Sequence, residues 1–472
     1  MRTVERLKTV LFVGLFLSSA ILSVFYIADA SAGQGTAEGN LPAEVLAVLM
    51  GNAEAEDSLP PDSLMPAFFG MKQAGEEPVG IRSGTEMMRD LNELISPWIG
   101  FAMGEGSVCT AEADAARWKT CLSANAFFYL RWDGEFPAAI LRAYALPEDK
   151  DAMLTTAEGE LPRIHEIFLF PQGQTNDGVC AVSRDLAGQV SLWRQKNANT
   201  AWDETLPDFD DFSIYQSRGI LQSFDFAGEL YPDISSRLQS LPVLRTLITL
   251  PALLFDYPLA QEQSAARISD FVLECLGYNL NKATGYYESE TDTAVFVETH
   301  GTLRAPADTL TYEATDRGGL SVGIFLEKDS TAFNLRDDLA AGEALVAALR
   351  RGDRFLLGGA AEPRLTSISL EGDTLILTFS YFYENVRVDL SSPAVTVAVR
   401  DHTVVSVTVR SVNYVTDEYY RPSARQQWML QLSRYLHERD GIDTDYAIVL
   451  SYRRDEADNL RLIADWGLYL IG

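Results

Sequence analysis

Thr9 to Ala28 limits what this chain can become more than any other stretch. Its twenty residues, Thr9-Val-Leu-Phe-Val-Gly-Leu-Phe-Leu-Ser-Ser-Ala-Ile-Leu-Ser-Val-Phe-Tyr-Ile-Ala28, carry no charge. As a helix rising ~1.5 Å per residue they match the ~30 Å thickness of a hydrocarbon core. Every backbone N–H and C=O is then satisfied within the segment, which is the condition for crossing lipid. Arg2, Arg6 and Lys8 precede it, opposed by Glu5. Asp29 follows, and no further base occurs before Lys72. That asymmetry predicts residues 1–8 as a cytoplasmic stub, 9–28 as a single-pass transmembrane anchor, and the bulk of the chain outside the cell membrane. A removed signal peptide is the alternative, since Ala28-Asp-Ala30 and Ala30-Ser-Ala32 both fit small-x-small cleavage sites. The apolar run exceeds the usual 7–15-residue core of a signal peptide, which favours the retained anchor. No Cys follows it directly, so a lipoprotein anchor is not expected.

The body beyond the anchor is acidic. Across 472 residues, 38 Lys and Arg stand against 67 Asp and Glu, a net charge of −29. Such a surface repels phosphate backbones, so no nucleic-acid partner is expected. Hydrophobic residues make up 47% and charged residues 22%, enough apolar side chain for ordinary cores in about two to four domains. The four cysteines, Cys109, Cys121, Cys180 and Cys275, are too few for a disulfide framework. Cys109 and Cys121 are close enough in sequence for one local disulfide, and buried or incidental thiols are the other reading. No Cys-x-x-Cys suggests zinc or redox chemistry.

Residues 29–62 read as a linker, with Gly, Ala, acidic residues and a Pro-Pro pair, and Leu41 to Met50 as a short helix within it. An N-terminal α+β domain is expected over 63–225. It holds a helix around Met87 to Ile95 and an aromatic strand over Ala126 to Trp132 that Asp133-Gly134 breaks. Further strands are expected at Ile164 to Phe170, Val179 to Val182 and Gln189 to Trp193, the last two separated by Gly188. Asn197 to Phe212 carries Asp203, Glu204, Asp208, Asp210 and Asp211. It lacks the Gly-centred twelve-residue loop with a terminal Glu, so a solvated loop is expected rather than a calcium site.

A middle domain over 226–330 opens with Leu241 to Tyr257. This apolar stretch is interrupted by Pro242, Pro251 and followed by Pro258, and reads as packing between domains. Gln261 to Tyr278 has helical spacing, with Ile268, Phe271, Val272 and Cys275 on one face and Gly277 near its end. Gly285 to Glu298 reads as two strands around a polar turn at Ser289 to Thr291. Gly301 to Arg304 and Leu310 to Ala314 make another pair.

Helix followed by meander recurs over 331–472. Leu335, Leu339, Leu345, Val346 and Leu349 mark a helix ending at Gly352. Thr374 to Phe382 alternates, with Ile376 the exception. Val395, Val397 and Val399 alternate likewise, as do Val405, Val407 and Val409, about a turn at Asp401-His402. Ser423 with Gln426 forms a capping box before a helix striped by Trp428, Leu432, Tyr435 and Leu436 and ended by Asp440-Gly441. Two closing strands, Ala447 to Tyr452 and Leu460 to Leu470, flank a charged turn. The fold class is therefore α+β: an N-terminal membrane helix, then several extracytoplasmic domains of antiparallel β-meanders packed with helices.

The chemical inventory is thin. His165, His300, His402 and His437 are widely spaced, and none lies in a His-Glu-x-x-His helix. Each reads as structural or surface. No nucleophile elbow, Walker loop or Gly-x-Gly-x-x-Gly is present. No catalytic, cofactor-binding or metal-binding residues are assigned. The aromatics Tyr286, Tyr287, Phe379, Tyr381, Phe382, Tyr383, Tyr414, Tyr419, Tyr420 and Trp466 crowd the last two domains. Core and cross-strand packing is the first reading, a protein-binding surface the second.

With these residues in view, the chain resembles the YycH family. The likeness is carried by Phe127 to Pro137, by Ile164 to Phe168, and above all by Tyr286 to Glu298 with Gly301 to Arg304. The C-terminal part also looks like the related YycI module and its PepSY-like arrangement. The resemblance implies a non-catalytic extracytoplasmic regulator. It would act beside a sensor histidine kinase of the cell-wall two-component system of Gram-positive bacteria, together with a YycI-like protein, partly through contacts between membrane helices. On the anchor, Gly14, Ser18 and Ser19 supply a face of small residues for such contacts. The alternatives are an extracytoplasmic enzyme acting on wall polymers and a PepSY-like inhibitor or peptide-binding module.

Overall fold

The computed structural model describes residues 64–82, 86–104, 107–112, 116–145, 162–170, 178–195, 206–226, 229, 242–244, 248–260, 268–281, 283–316, 318–326, 335–384, 386–388, 392–423, 446–455 and 458–470. The expected anchor Thr9 to Ala28, the linker and the Trp428-Leu432 helix lie outside these residues. Among the described residues, no helix is long and apolar enough to cross a membrane. All described residues belong to the compact unit Ala47–Gly472.

The first sheet is built from β1 (Phe68–Lys72), β2 (Val79–Arg82), β3 (Ser107–Glu112), β4 (Phe127–Pro137), β5 (Arg163–Leu169), β6 (Val179–Arg184), β7 (Val190–Gln195) and β8 (Gln222–Phe226). Its order is β3-β7-β6-β5-β4-β1-β2-β8, antiparallel throughout. β9 (Pro242–Leu244) adds to β8. Both faces are covered, so the strands read as near-continuous apolar runs; every residue of β6 is buried. Helix α1 (Glu86–Met103) covers one face with Met88, Leu91, Ile95, Trp98, Ile99 and Ala102. This helix runs eight residues beyond the expected Ile95, through Pro97. The buried stripe continues past the proline, and the Trp98 indole donates to the Pro207 carbonyl at 2.7 Å. On the other face, α2 (Ala116–Leu122) buries Trp118, Cys121 and Leu122 against Phe127, Tyr129 and Phe168. The short α3 (Ala138–Ala145) follows β4, and α4 (Ser213–Ser217) precedes β8.

The second assembly begins with β10 (Ile248–Asp256), α5 (Asp270–Cys275) and a four-stranded meander: β11 (Thr284–Glu288), β12 (Thr293–Val297), β13 (Gly301–Ala305) and β14 (Thr309–Ala314). β15 (Leu320–Ser321), α6 (Val322–Leu326) and α7 (Leu335–Gly352) lead to β16 (Leu357–Gly359), β17 (Glu362–Glu371), β18 (Thr374–Tyr383), β19 (Val386–Val388), β20 (Val395–Arg400), β21 (Thr403–Arg410) and β22 (Val412–Ser423). β23 (Tyr446–Asp455) and β24 (Asp458–Leu470) close the chain's described part. The meander continues directly through β14 onto β21, with Thr309 opposite Arg410, giving the order β11-β12-β13-β14-β21-β20-β18-β17. β19 pairs in parallel with β23, and β16 in parallel with β22. β10 lies between β22 and β24. α7 rests on this sheet at Gly342, where an added Cβ would run into Leu377.

Three expectations change. Asp133-Gly134 does not end β4: the strand continues to Pro137 through a register shift between Arg131 and Phe136. Leu241 to Tyr257, expected as apolar packing, contributes two strands, β9 against β8 and β10 against β22, with Pro251 placed where the β10–β22 register shifts. A bulge at Ala398/Val399 turns Val404 rather than Val405 into the core beside Val407 and Val409. Of the two readings open for the cysteines, the structure has the thiols: all four are free, and Cys121 is buried in the α2 face. By contrast, Thr374 to Tyr383 buries Leu375, Leu377, Phe379 and Tyr381 and leaves Ile376 half-buried, as its alternation predicts. Gly277 takes φ +75° just beyond α5, and Asp401 and His402 form their turn at φ 47° and 57°.

Candidate contact edge

The densest polar chemistry lies within the first sheet. Register places Arg82, Phe68, Arg131, Glu166, Arg184 and Val190 in one row across β2, β1, β4, β5, β6 and β7. Glu166 is 2% exposed and Arg184 5%. The Arg184 Nε donates to Glu166 Oε1 at 2.7 Å, and the Tyr129 hydroxyl donates to Oε2. Arg184 also lies 4.6 Å from the Trp118 ring centre. Burial pushes the Glu166 carboxyl upward, but Arg184, His165, Arg131 and the Tyr129 hydroxyl outweigh it and hold it at about 2.

His165 stands beside this row. The Arg131 Nε donates to its Nε2 at 3.3 Å, which leaves Nδ1 to donate to the Gly134 carbonyl at 2.8 Å. Burial, then Arg131, pushes the imidazole down to about 4, so it is neutral at pH 7. Both ring nitrogens are engaged by the protein itself. The arrangement clamps strands together rather than presenting an acid or base. Immediately beyond, Gly134 allows β4 to meet β17: any Cβ there would overlap the Thr366 carbonyl. Arg163 spans this joint, contacting Glu135 and the Ile368 carbonyl, the latter at 3.1 Å.

The remaining histidines are equally local. His300 Nε2 meets the Leu276 carbonyl at 3.0 Å and packs edge-on to Tyr278. His402 Nδ1 meets Asp338 Oδ1 at 2.9 Å, tying the β20–β21 turn to the first turn of α7. His437 lies outside the described residues. So do most of the acidic run before Leu206 and the membrane-helix candidates Gly14, Ser18 and Ser19. Asp208 caps a short 3-10 turn at Phe209–Phe212. Among the described residues, no group of three or more His, Cys, Asp or Glu is placed to hold a metal.

The aromatic residues divide by position. Phe379, Tyr381, Phe382 and Tyr414 are buried. The Tyr381 hydroxyl donates to the Arg410 carbonyl at 2.7 Å, and its ring lies 5.5 Å from Tyr414. Tyr383 is half-buried against Tyr452. The side chains of Tyr419, Tyr420 and Trp466 lie outside the described residues. Tyr286 and Tyr287 differ from the rest: they are 44% and 38% exposed, on β11. Among the described residues, β11 pairs with β12 alone. Tyr286 shares a face with Val295 and Arg304, and Tyr287 shares the opposite face with Ala294. Their exposure was not legible from alternation, because a period of two says nothing about which strand ends a sheet.

No family model and no curated relative matches the chain. Solved structures similar to it include two that differ widely in coverage. An uncharacterized protein from Eubacterium rectale has a TM-score of 0.30 and 9% identity, covering 47% of this chain and 77% of its own. The crystal structure of YycH from Bacillus subtilis is similar over 88% of this chain and 96% of that one, with a TM-score of 0.46 and 11% identity.

Proposed function

We propose that this protein is a membrane-anchored extracytoplasmic regulator that works by binding. It modulates a sensor histidine kinase of a cell-wall two-component system, with a YycI-like protein as its companion. The observation that carries the reading is the pair of exposed tyrosines on β11. They fall within Tyr286 to Glu298, the stretch that most resembles the YycH family in sequence. Tyr is enriched at protein interfaces, where one ring supplies both apolar area and a hydrogen-bonding hydroxyl. Signalling would run through two regions, the ectodomain edge and the anchor face of Gly14, Ser18 and Ser19.

Co-purification from membranes tests the reading. The tagged full chain is expected to retain a sensor kinase through detergent extraction. Exchange of Thr9 to Ala28 for an unrelated membrane helix is expected to abolish its effect on kinase output. Recovery without any kinase, together with unaltered output after the exchange, would overturn it.

A further inference from the structure

β11 has the makings of a strand-docking site. Its pairing with β12 is uninterrupted from Thr284–Val297 to Glu288–Thr293. Alternate residues of an antiparallel edge strand turn their N–H and C=O away from the sheet. Proteins usually blunt such an edge with proline, lysine or a bulge. Thr284-Gly-Tyr-Tyr-Glu288 contains neither proline nor lysine, and its register shows no bulge. Four of its five residues are exposed and the fifth is half-buried. One tyrosine projects from each face, so an added strand would have a ring beside it above and below.

The charge around the edge indicates what it accepts. Glu288, Glu290 and Asp292 stand at one end; Arg304 lies 3.5 Å from Glu288, and the Tyr287 hydroxyl donates to Asp292, so the cluster keeps its negative charge while one ring is held beside it. Two copies of a chain carrying −29 repel each other, which disfavours edge-to-edge pairing of this protein with itself. We infer that β11 receives an extended segment of another protein, added antiparallel or parallel as a further strand. That segment would alternate β-branched residues and carry lysine or arginine at the end facing Glu288 to Asp292. This rests on the binding reading above and specifies its mode.

The probe is a fluorescein-labelled heptapeptide of alternating valine and threonine with a lysine at each terminus. Its binding to the full chain in detergent is read by fluorescence anisotropy. Micromolar binding is expected, weakened at least tenfold when alternate peptide nitrogens are methylated and at least fivefold by Tyr286→Ala/Tyr287→Ala. Glutamate in place of the terminal lysines should also weaken it at low salt. Hydrogen exchange should slow over 284–288 and not over 301–305. Equal binding of the methylated peptide, or protection elsewhere, would overturn the inference. A peptide-dissociable dimer in sedimentation would do the same, by assigning the edge to a second copy. If the peptide binds at β11 while Tyr286→Ala/Tyr287→Ala leaves kinase output unchanged, the docking site stands and the regulator reading fails.

Discussion

Replacing Glu166 by Gln tests the charged row most directly. The carboxylate is held at about 2, against 4.5 when free. That gap corresponds to about 3 kcal/mol of preference for the ionised form in the folded chain. Glutamine still accepts a hydrogen bond but carries no charge, so Arg184, 5% exposed, loses its anion in a dry site. Removing one partner of a buried pair costs roughly 3–5 kcal/mol. Glu166→Gln is therefore expected to lower stability by about 3 kcal/mol, read as the urea midpoint of the full chain in detergent by tryptophan fluorescence. Trp118, stacked on Arg184, should report it locally. Glu166→Gln/Arg184→Met should recover part of the loss, because methionine removes the stranded guanidinium while the glutamine amide oxygen still accepts from the Tyr129 hydroxyl. A single-variant loss below about 1 kcal/mol, or a double variant no better than the single, would refute the reasoning.

Three further outcomes follow from the geometry. His165 resists protonation down to about 4 when folded, whereas a free imidazole takes a proton near 6.5. The unfolded state thus binds more protons between these values, and stability should fall as pH drops from 6.5 to 4; His165→Gln should flatten that slope in pH-dependent urea melts. Gly134→Ala would press a methyl group onto the Thr366 carbonyl and is expected to cost roughly 1–3 kcal/mol and to speed hydrogen exchange over 362–371; unchanged exchange there would count against the joint. Burial raises the Cys109 thiol to about 11 and those of Cys180 and Cys275 to about 12. These three thiols should react slowly with a disulfide reagent at pH 8 and all four cysteines completely in denaturant, and a band that shifts on reduction would contradict free thiols.

Much of the local structure could be read from pattern. Leu375, Leu377, Phe379 and Tyr381 announce β18 because a half-buried strand alternates, and Gly277 marks a helix end because φ +75° suits glycine. What pattern missed was set at a distance. The bulge at Ala398/Val399 exchanges Val405 for Val404, since one extra residue moves a side chain to the opposite face. Gly134 resembles a breaker locally, yet its lack of a Cβ admits another strand. The Arg131-Glu166-Arg184 row needs the register of three strands, which no single segment encodes. The exposed tyrosines stood among ten aromatic candidates, and only sheet order separates them from the buried ones. Boundaries at 225 and 330 remain proposals, for which limited proteolysis of the full chain is the measurement.

The position of β10 bears on how the protein is made. Residues 248–256 lie between strands from 412–423 and 458–470. A nascent chain emerging N-terminus first therefore exposes an apolar ribbon long before either neighbour has been synthesised. Its sheet can close only after residues 458–470 have been made. Premature termination before residue 458 would leave that ribbon without one flank, a form suited to capture by quality-control proteases rather than to residual function.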